Sequence, residues 1–200
     1  MNFWDERYNR KDYVYGKTPN TFLVEQANLL KPHSKVLCLA EGEGRNAVYL
    51  ASLGHKVLAV DQSQVGLDKL KDLAQKHGVD VETQCVDLAN YQFPVNEFDA
   101  IISIWCHLPK QLRKDVHSKV LTSLKKNGLY ILEAYTPKQL DFKTGGPSEI
   151  GLLMSLEEVK EETSTLTFIV ARECERLIEE GIGHNGESAV LQIVGRKDFI

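Results

Sequence analysis

The chain has 200 residues, 42% of them hydrophobic and 26% charged, with a formal net charge of −4. That size and composition predict one folded domain with its own core and exclude a disordered segment. No apolar run is long enough to span a membrane, and the acidic balance provides no basic face for phosphates, so neither membrane nor nucleic acid is an expected partner.

The N-terminal segment Met1-Asn2-Phe3-Trp4-Asp5-Glu6-Arg7 is charged from its fifth residue, which predicts no secretory signal. Pro19 suits the first turn of a helix that continues through Asn20–Leu30. From Lys35 onward, strand-like and helix-like segments alternate. Strands are expected at Lys35–Ala40, Lys56–Asp61, Asp80–Cys85, Phe98–Ile104 and Gly128–Tyr135. Helices are expected at Gly44–Leu53, Gln64–His77 and Pro109–Lys125, with apolar residues every three or four positions, as in Val65, Leu67, Leu70, Leu73 and Ala74. Val86–Glu97 carries no clear helical spacing. Beyond the turn-rich Thr144-Gly145-Gly146-Pro147, a helix is expected at Leu156–Thr163. Strands follow at Leu166–Ile178 and Ser188–Arg196, with the glycine-rich Glu179–Gly186 as the loop between them.

Alternation of this kind implies right-handed βαβ crossovers. The expected fold is α/β: a Rossmann-like three-layer α/β/α sandwich whose mostly parallel seven-stranded sheet is closed by a C-terminal antiparallel hairpin. The expected organisation of the single domain is an N-terminal cover and helix (1–34), a cofactor-binding core (35–136) and an acceptor-side loop, helix and hairpin (137–200). Cys38, Cys85, Cys106 and Cys174 are far apart with no C-x-x-C pair, so no metal site and no disulfide framework is expected. Reduced thiols of a cytoplasmic protein are the simpler reading. The basic residues Lys110, Arg113, Lys114, Lys119, Lys125 and Lys126 are expected on a solvated helix face.

The most informative stretch is Val36-Leu37-Cys38-Leu39-Ala40-Glu41-Gly42-Glu43-Gly44-Arg45-Asn46-Ala47, a buried strand that runs through two glycines into a helix. Its helix N-terminus and flexible turn favour a nucleotide-like ligand at the carboxyl edge of the sheet. Gly42–Ala47 also fits the dinucleotide pattern G-x-G-x-x-A. Glu41 and Glu43, however, would face a pyrophosphate with like charge. S-adenosylmethionine has no phosphate and carries a sulfonium and an ammonium, which carboxylates attract. Asp61, ending the second strand, can accept from both ribose hydroxyls, although aspartate also caps helices. Asp87-Leu88, in the next βα unit, suits the adenine. After the fourth strand, Ile104-Trp105-Cys106-His107 lies where the ligand crevice is expected. Trp105 and His107 are candidates to face the cofactor or the acceptor, against a packing or helix-start role.

Together these residues resemble the class I S-adenosylmethionine-dependent methyltransferases, especially the small tellurite-resistance and thiopurine methyltransferase-like group. The resemblance begins with Trp4-Asp5-Glu6-Arg7-Tyr8, Tyr13-Val14-Tyr15-Gly16 and Pro19-Asn20, which look like that group's N-terminal cover. It continues through Gly42-x-Gly44-Arg45-Asn46, Asp61 and Asp87-Leu88 to the closing hairpin. It implies transfer of a methyl group from S-adenosylmethionine to a small-molecule acceptor (a thiol, a metalloid oxyanion or a heterocycle), leaving S-adenosylhomocysteine. The implied cofactor-binding residues are Tyr15, Glu41, Gly42, Glu43, Gly44, Arg45, Asp61, Gln62, Asp87, Leu88, Ile104 and Trp105. One departure stands out. Aligned on Gly44-Arg45-Asn46, the acid that such proteins carry at the end of the first strand falls on Cys38, and their first glycine falls on Ala40. Glu41 is then the candidate to meet the cofactor's ammonium.

Acceptor-side candidates come from the elements beyond the fifth strand: Tyr135, Gly145-Gly146, Arg176 and His184, with His107 from the fourth. His184, Arg176 and His107 are the catalytic candidates, with His184 as a base near neutral pH. The alternative is that His184 decorates a turn and that Arg176 pairs with Glu175 or Glu179. A non-catalytic S-adenosylmethionine-binding protein and an NAD-dependent oxidoreductase are the competing functions, and a monomer or homodimer is expected.

Overall fold

The Val, Ile and Leu runs after Lys35 become strands because both of their faces are covered, as a parallel sheet requires, while the polar and largely exposed Glu82–Cys85 joins them at the sheet edge by pairing with Leu58–Asp61. In the computed structural model, which describes residues 2–198, they form β1 (Lys35–Leu39), β2 (Lys56–Asp61), β3 (Glu82–Cys85), β4 (Phe98–Ile104) and β5 (Leu124–Tyr135). All pair in parallel, with Val36 of β1 opposite both Val57 and Ala100. The antiparallel strands β6 (Thr167–Glu180) and β7 (His184–Arg196) complete the sheet, whose order is β3-β2-β1-β4-β5-β7-β6.

The helices are α1 (Phe3–Tyr8), α2 (Thr21–Gln26), α3 (Arg45–Ser52), α4 (Gln64–His77), α5 (Lys110–Ser123), α6 (Gln139–Phe142) and α7 (Leu156–Glu162). Phe22 and Leu23 of α2, Leu50 of α3 and Leu70 of α4 pack on one face of the sheet, over Val36, Cys38, Ala59 and Ile102. On the other, Val116 and Val120 of α5 and Val159 of α7 pack over Leu37, Leu39, Ile101 and Tyr130. The result is the three-layer sandwich expected from the alternation. In α4 the local signals agree throughout. Ser63 caps its N-terminus by accepting from Gly66 N, Leu67, Leu70 and Leu73 share its buried face, and Gly78 ends it in the left-handed region at φ 65°.

Several boundaries differ from the sequence reading. The helix expected over Asn20–Leu30 is α2 followed by a 3-10 turn at Ala27–Leu29. Pro19 precedes its cap, Asn20, whose side chain accepts from Leu23 N at 2.9 Å. β5 starts at Leu124, directly after α5, rather than at Gly128. The loop expected over Glu179–Gly186 is mostly strand. Glu179 pairs with Asn185 and Glu180 with His184, leaving only 181–183 as the turn. Charged and glycine residues mimic a loop there because their partners come from distant segments. Arg113, expected on a solvated face, is buried by α7, where it donates to Glu162 and Glu158.

Two features bring the site together. Residues 2–20 run over the carboxyl ends of β1 and β2, where Asp5 accepts from Ser63 Oγ at 2.7 Å. The β6–β7 turn then meets this segment, Ile182 N and Gly183 N both donating to Val14 O at 2.9 and 3.2 Å. The approach needs a glycine: a Cβ on Gly183 would lie 2.3 Å from the Tyr15 ring.

Candidate active site

A cleft of about 600 Å³ opens between this N-terminal segment and the carboxyl ends of β1, β2 and β4. That volume suits a nucleoside-sized ligand, and the position is where open α/β sheets bind one. Tyr15, Glu41, Glu43, Gly44, Arg45, Asp61, Gln62, Asp87, Leu88, Ile104 and Trp105 all line it, as do His107 and His184. Gly42 and Arg176 do not. A Cβ on Gly42 would lie 2.6 Å from the Tyr8 hydroxyl, so this glycine makes room for the N-terminal cover rather than for a ligand.

The acidic end of the cleft is built from strand termini. Ala40 takes a left-handed φ of 49°, a strained value for a residue with a Cβ, and this turns Glu41 inward. Glu41 Oε1 accepts from Asn46 N at 3.0 Å and Ala47 N at 2.8 Å, capping α3. Burial raises its pKa to about 7 despite those bonds and the nearby charge of Arg45. Cys38 is wholly buried in the core, and burial pushes its thiol well up. At this strand end it is Glu41, not Cys38, that lines the cleft. Asp61 accepts from Gly42 N and Ser63 N, both at 2.8 Å, which fixes its carboxylate at the cleft wall. Burial raises its pKa too, against those two bonds. Asp87 is exposed, with Oδ1 accepting from Ala89 N at 2.9 Å.

Glu43 has a different role from the cofactor contact expected of it. Its carboxylate accepts from Val14 N at 2.8 Å and pairs with Lys69, so it anchors the cover to α4. Arg45 is likewise committed, to Glu180 and to Tyr15 O at 3.1 Å. With Arg45 neutralised, Arg7 is, among the described residues, the one lining arginine or lysine without a carboxylate partner. A pyrophosphate would find too little positive charge here, whereas a phosphate-free cationic nucleoside meets Glu41, Asp61 and Asp87. The residues fit S-adenosylmethionine.

Beneath the cleft lies a buried ion network that no local sequence signal reveals. Glu133, 0% exposed at the end of β5, accepts from Arg176 at 2.9 and 2.8 Å, from Asn20 at 2.6 Å and from Gln192 at 2.6 Å. Glu180 accepts from Asn20 at 2.8 Å, from the Trp105 indole at 2.6 Å and from Arg45. Arg176 is thus consumed by Glu133, not by Glu175 or Glu179, and acts as a structural counter-charge outside the cleft. Trp105 sits at φ 58°, held by its backbone bond to Glu133 O at 2.9 Å and by its indole bond to Glu180. Such an outlier at a strand end is strain stored where a side chain must be aimed.

The end of the cleft beside His184 is aromatic. The His184 ring lies 4.6 Å from Tyr15 and 5.0 Å from Trp105, centroid to centroid. His184 is 7% exposed, and its Nδ1 is buried without a hydrogen-bond partner. Burial, and then the charge of Arg45, push its pKa well below the usual histidine range. His107 does not have the free nitrogen that a catalytic base needs. Nδ1 donates to Leu152 O at 2.9 Å, and Nε2 accepts from Tyr135 N at 3.4 Å. Burial lowers its pKa to about 4. Tyr135 is fully buried behind Trp105, stacked at 4.4 Å, while Gly145 and Gly146 reach the lining.

Residues 36–128 match a family model described as a methyltransferase domain. The probable S-adenosyl-L-methionine-dependent methyltransferase TehB of Haemophilus influenzae is 31% identical over 103 residues, covering 48% of this chain and 35% of that protein. The 2-heptyl-1-hydroxyquinolin-4(1H)-one methyltransferase of Mycobacteroides abscessus is 24% identical over 131 residues, 64% of this chain and 56% of that one. The chain therefore spans about a third and about half of the length of these two relatives. The crystal structure of Haemophilus influenzae TehB superposes with a TM-score of 0.74 at 21% identity, covering 98% of this chain and 66% of that one. A structure concerned with conversion of a disulfide bond into a thioacetal group in echinomycin biosynthesis gives 0.76 at 15% identity, covering 97% and 88%. At these identities the structures speak for the fold alone.

Proposed function

Because this chain belongs to the class I S-adenosylmethionine-dependent methyltransferases and is similar to TehB, we propose that it moves a methyl group from that cofactor to a small-molecule acceptor. One observation carries the reading: a nucleoside-sized cleft whose wall presents Glu41, Asp61 and Asp87 while its buried arginine is already paired. In this reading Asp61 and Gln62 hold the ribose, Asp87 and Leu88 the adenine, and Glu41 the cationic end.

When bound, S-adenosylmethionine supplies a methyl group on a sulfonium, and its transfer leaves the carbon–sulfur electron pair on a neutral thioether. The protein's part is alignment and exclusion of water. Segment 1–34 acts as the cover, 35–136 as the cofactor-binding core and 137–200 as the acceptor side. The bonds from the β6–β7 turn to Val14 O close the roof over Tyr15. Trp105, fixed by Glu180, presents a rigid ring between the two halves. His184, held neutral, acts on the acceptor as a hydrogen-bonding group.

The name of the quinolone methyltransferase supports an organic acceptor, whereas the tellurite-resistance group that the sequence resembles supports a metalloid oxyanion. Among the described residues no helix is long and apolar enough to cross a membrane. With widely spaced free cysteines, this supports action in the reducing cytoplasm. The acidic net charge supports a small substrate over nucleic acid. The test is release of S-adenosylhomocysteine from the purified chain across a panel of thiols, heterocycles, selenite and tellurite. Turnover on none of them, with cofactor bound, would favour a binding protein instead.

A further inference from the structure

An inorganic oxyanion entering a buried site must exchange its hydration for several fixed donors or cations. Among the described residues, the cleft beside His184 offers no cluster of them. Arg45 is paired with Glu180, and Arg176 is bound by Glu133 outside the lining. Arg7 is exposed at the rim, where its Nε donates to the Tyr15 hydroxyl at 2.8 Å. What the lining offers is ring surface: Tyr15 and Trp105, each in contact with His184, and beside them the backbone of Gly145 and Gly146.

His184 adds direction. Its Nδ1 is buried and has no partner, and a proton placed there would be an orphaned donor, the costlier of the two arrangements. The tautomer that avoids this carries its proton on Nε2, the nitrogen left for a ligand in the cleft. His184 then offers a hydrogen-bond donor rather than a base.

We propose that the acceptor is a neutral, planar heteroaromatic molecule, stacked against the Trp105 and Tyr15 wall and accepting from His184 Nε2–H through a ring nitrogen, oxo or thioxo atom. The proposal rests on the methyltransferase reading above and narrows its acceptor. In the step, a lone pair of the acceptor's nitrogen, oxygen or sulfur forms the bond to the methyl carbon. The methyl–sulfur bond breaks with its electron pair staying on sulfur, and the acceptor's ionisable proton goes to water at the cleft mouth. A donor on the conjugated heteroatom stabilises the acceptor's conjugate base, so that proton is lost without a dedicated base.

The test uses the full chain. S-adenosylmethionine affinity is measured first, since its absence would strike the methyltransferase reading itself. With cofactor bound, 2-mercaptopyridine, 4-hydroxyquinoline and 6-mercaptopurine are compared with selenite and tellurite by S-adenosylhomocysteine release. Turnover of at least one heteroarene and of neither oxyanion is expected. His184→Phe should raise the acceptor KM about tenfold or more with cofactor Kd unchanged, and His184→Gln, whose amide N–H replaces Nε2–H, should recover most of it. Turnover of an oxyanion without any heteroarene, turnover of none of the five, or a His184→Phe variant with unaltered KM would overturn the proposal.

Discussion

Arg176→Ala removes the guanidinium that makes two of the four hydrogen bonds to the Glu133 carboxylate, at 2.9 and 2.8 Å. Glu133 is 0% exposed and the Arg176 side chain 19%, so solvent replaces the lost bonds poorly. Breaking one partner of a buried pair costs about 3–5 kcal/mol, and the lower end applies here because Asn20 and Gln192 still donate. For a domain of this size each kcal/mol moves Tm by about 2–4 °C, which gives a fall of roughly 6–12 °C. Thermal and urea unfolding followed by circular dichroism read this directly. The double variant Arg176→Ala with Glu133→Gln removes both charges, and more than half of the loss should return, a coupling that a double-mutant cycle with the two single variants isolates. A single-variant loss below about 1 kcal/mol, the size of an exposed ion pair, would refute the network as a buried structural element. So would additive effects in the double variant.

Three further outcomes follow from the site. Glu41 titrates at about 7, so the free protein holds part of a proton there at neutral pH. Binding a cation beside it should release roughly half a proton at pH 7, seen as buffer-dependent calorimetric enthalpy that disappears in Glu41→Gln; a buffer-independent enthalpy would remove Glu41 from the cationic end. His107 titrates at about 4, below its unfolded value, so its contribution to stability is present above about pH 6.5 and is lost as pH falls toward 4. That contribution is up to about 3 kcal/mol, partly offset by Glu41, whose raised value acts in the opposite sense. His107→Asn, which keeps the donor to Leu152 O, should flatten the acid side of the Tm–pH profile, and an unchanged slope would count against a buried neutral His107. Asp61→Asn should weaken cofactor binding by about 2 kcal/mol, roughly thirtyfold in Kd by calorimetry, while an unchanged Kd would show that Asp61 serves only Gly42 and Ser63.

The placing of Asp61, Asp87, Ile104 and Trp105 at the cleft is legible in the sequence because each lies at or just after the end of a strand. Asp61 closes the apolar run of β2, Ile104 and Trp105 close β4, and Asp87 follows β3. Position along one βα unit is local information. The acceptor half depends on pairings between distant segments, which no periodicity encodes. Arg176 offers Glu175 and Glu179 as sequence neighbours, but period-two alternation puts those on the other face of β6. Its face meets Glu133, two strands away across β7. Glu180 looks like a loop acid beside Gly181, yet its partners Asn20, Arg45 and Trp105 come from three separate elements. His107 is silent for the same reason: its two bonds go to Leu152 and Tyr135. Gly42 shows the converse error. A glycine beside a ligand motif invites a ligand, but Tyr8 of the N-terminal cover fills the space.

The most direct measurement is calorimetric titration of the purified chain with S-adenosylmethionine and S-adenosylhomocysteine, with NAD as the control. Micromolar binding of the first two and none of NAD is the expected result for a phosphate-free, acid-lined cleft. Binding of NAD in their place, or of none of the three, would contradict the assignment of the cleft.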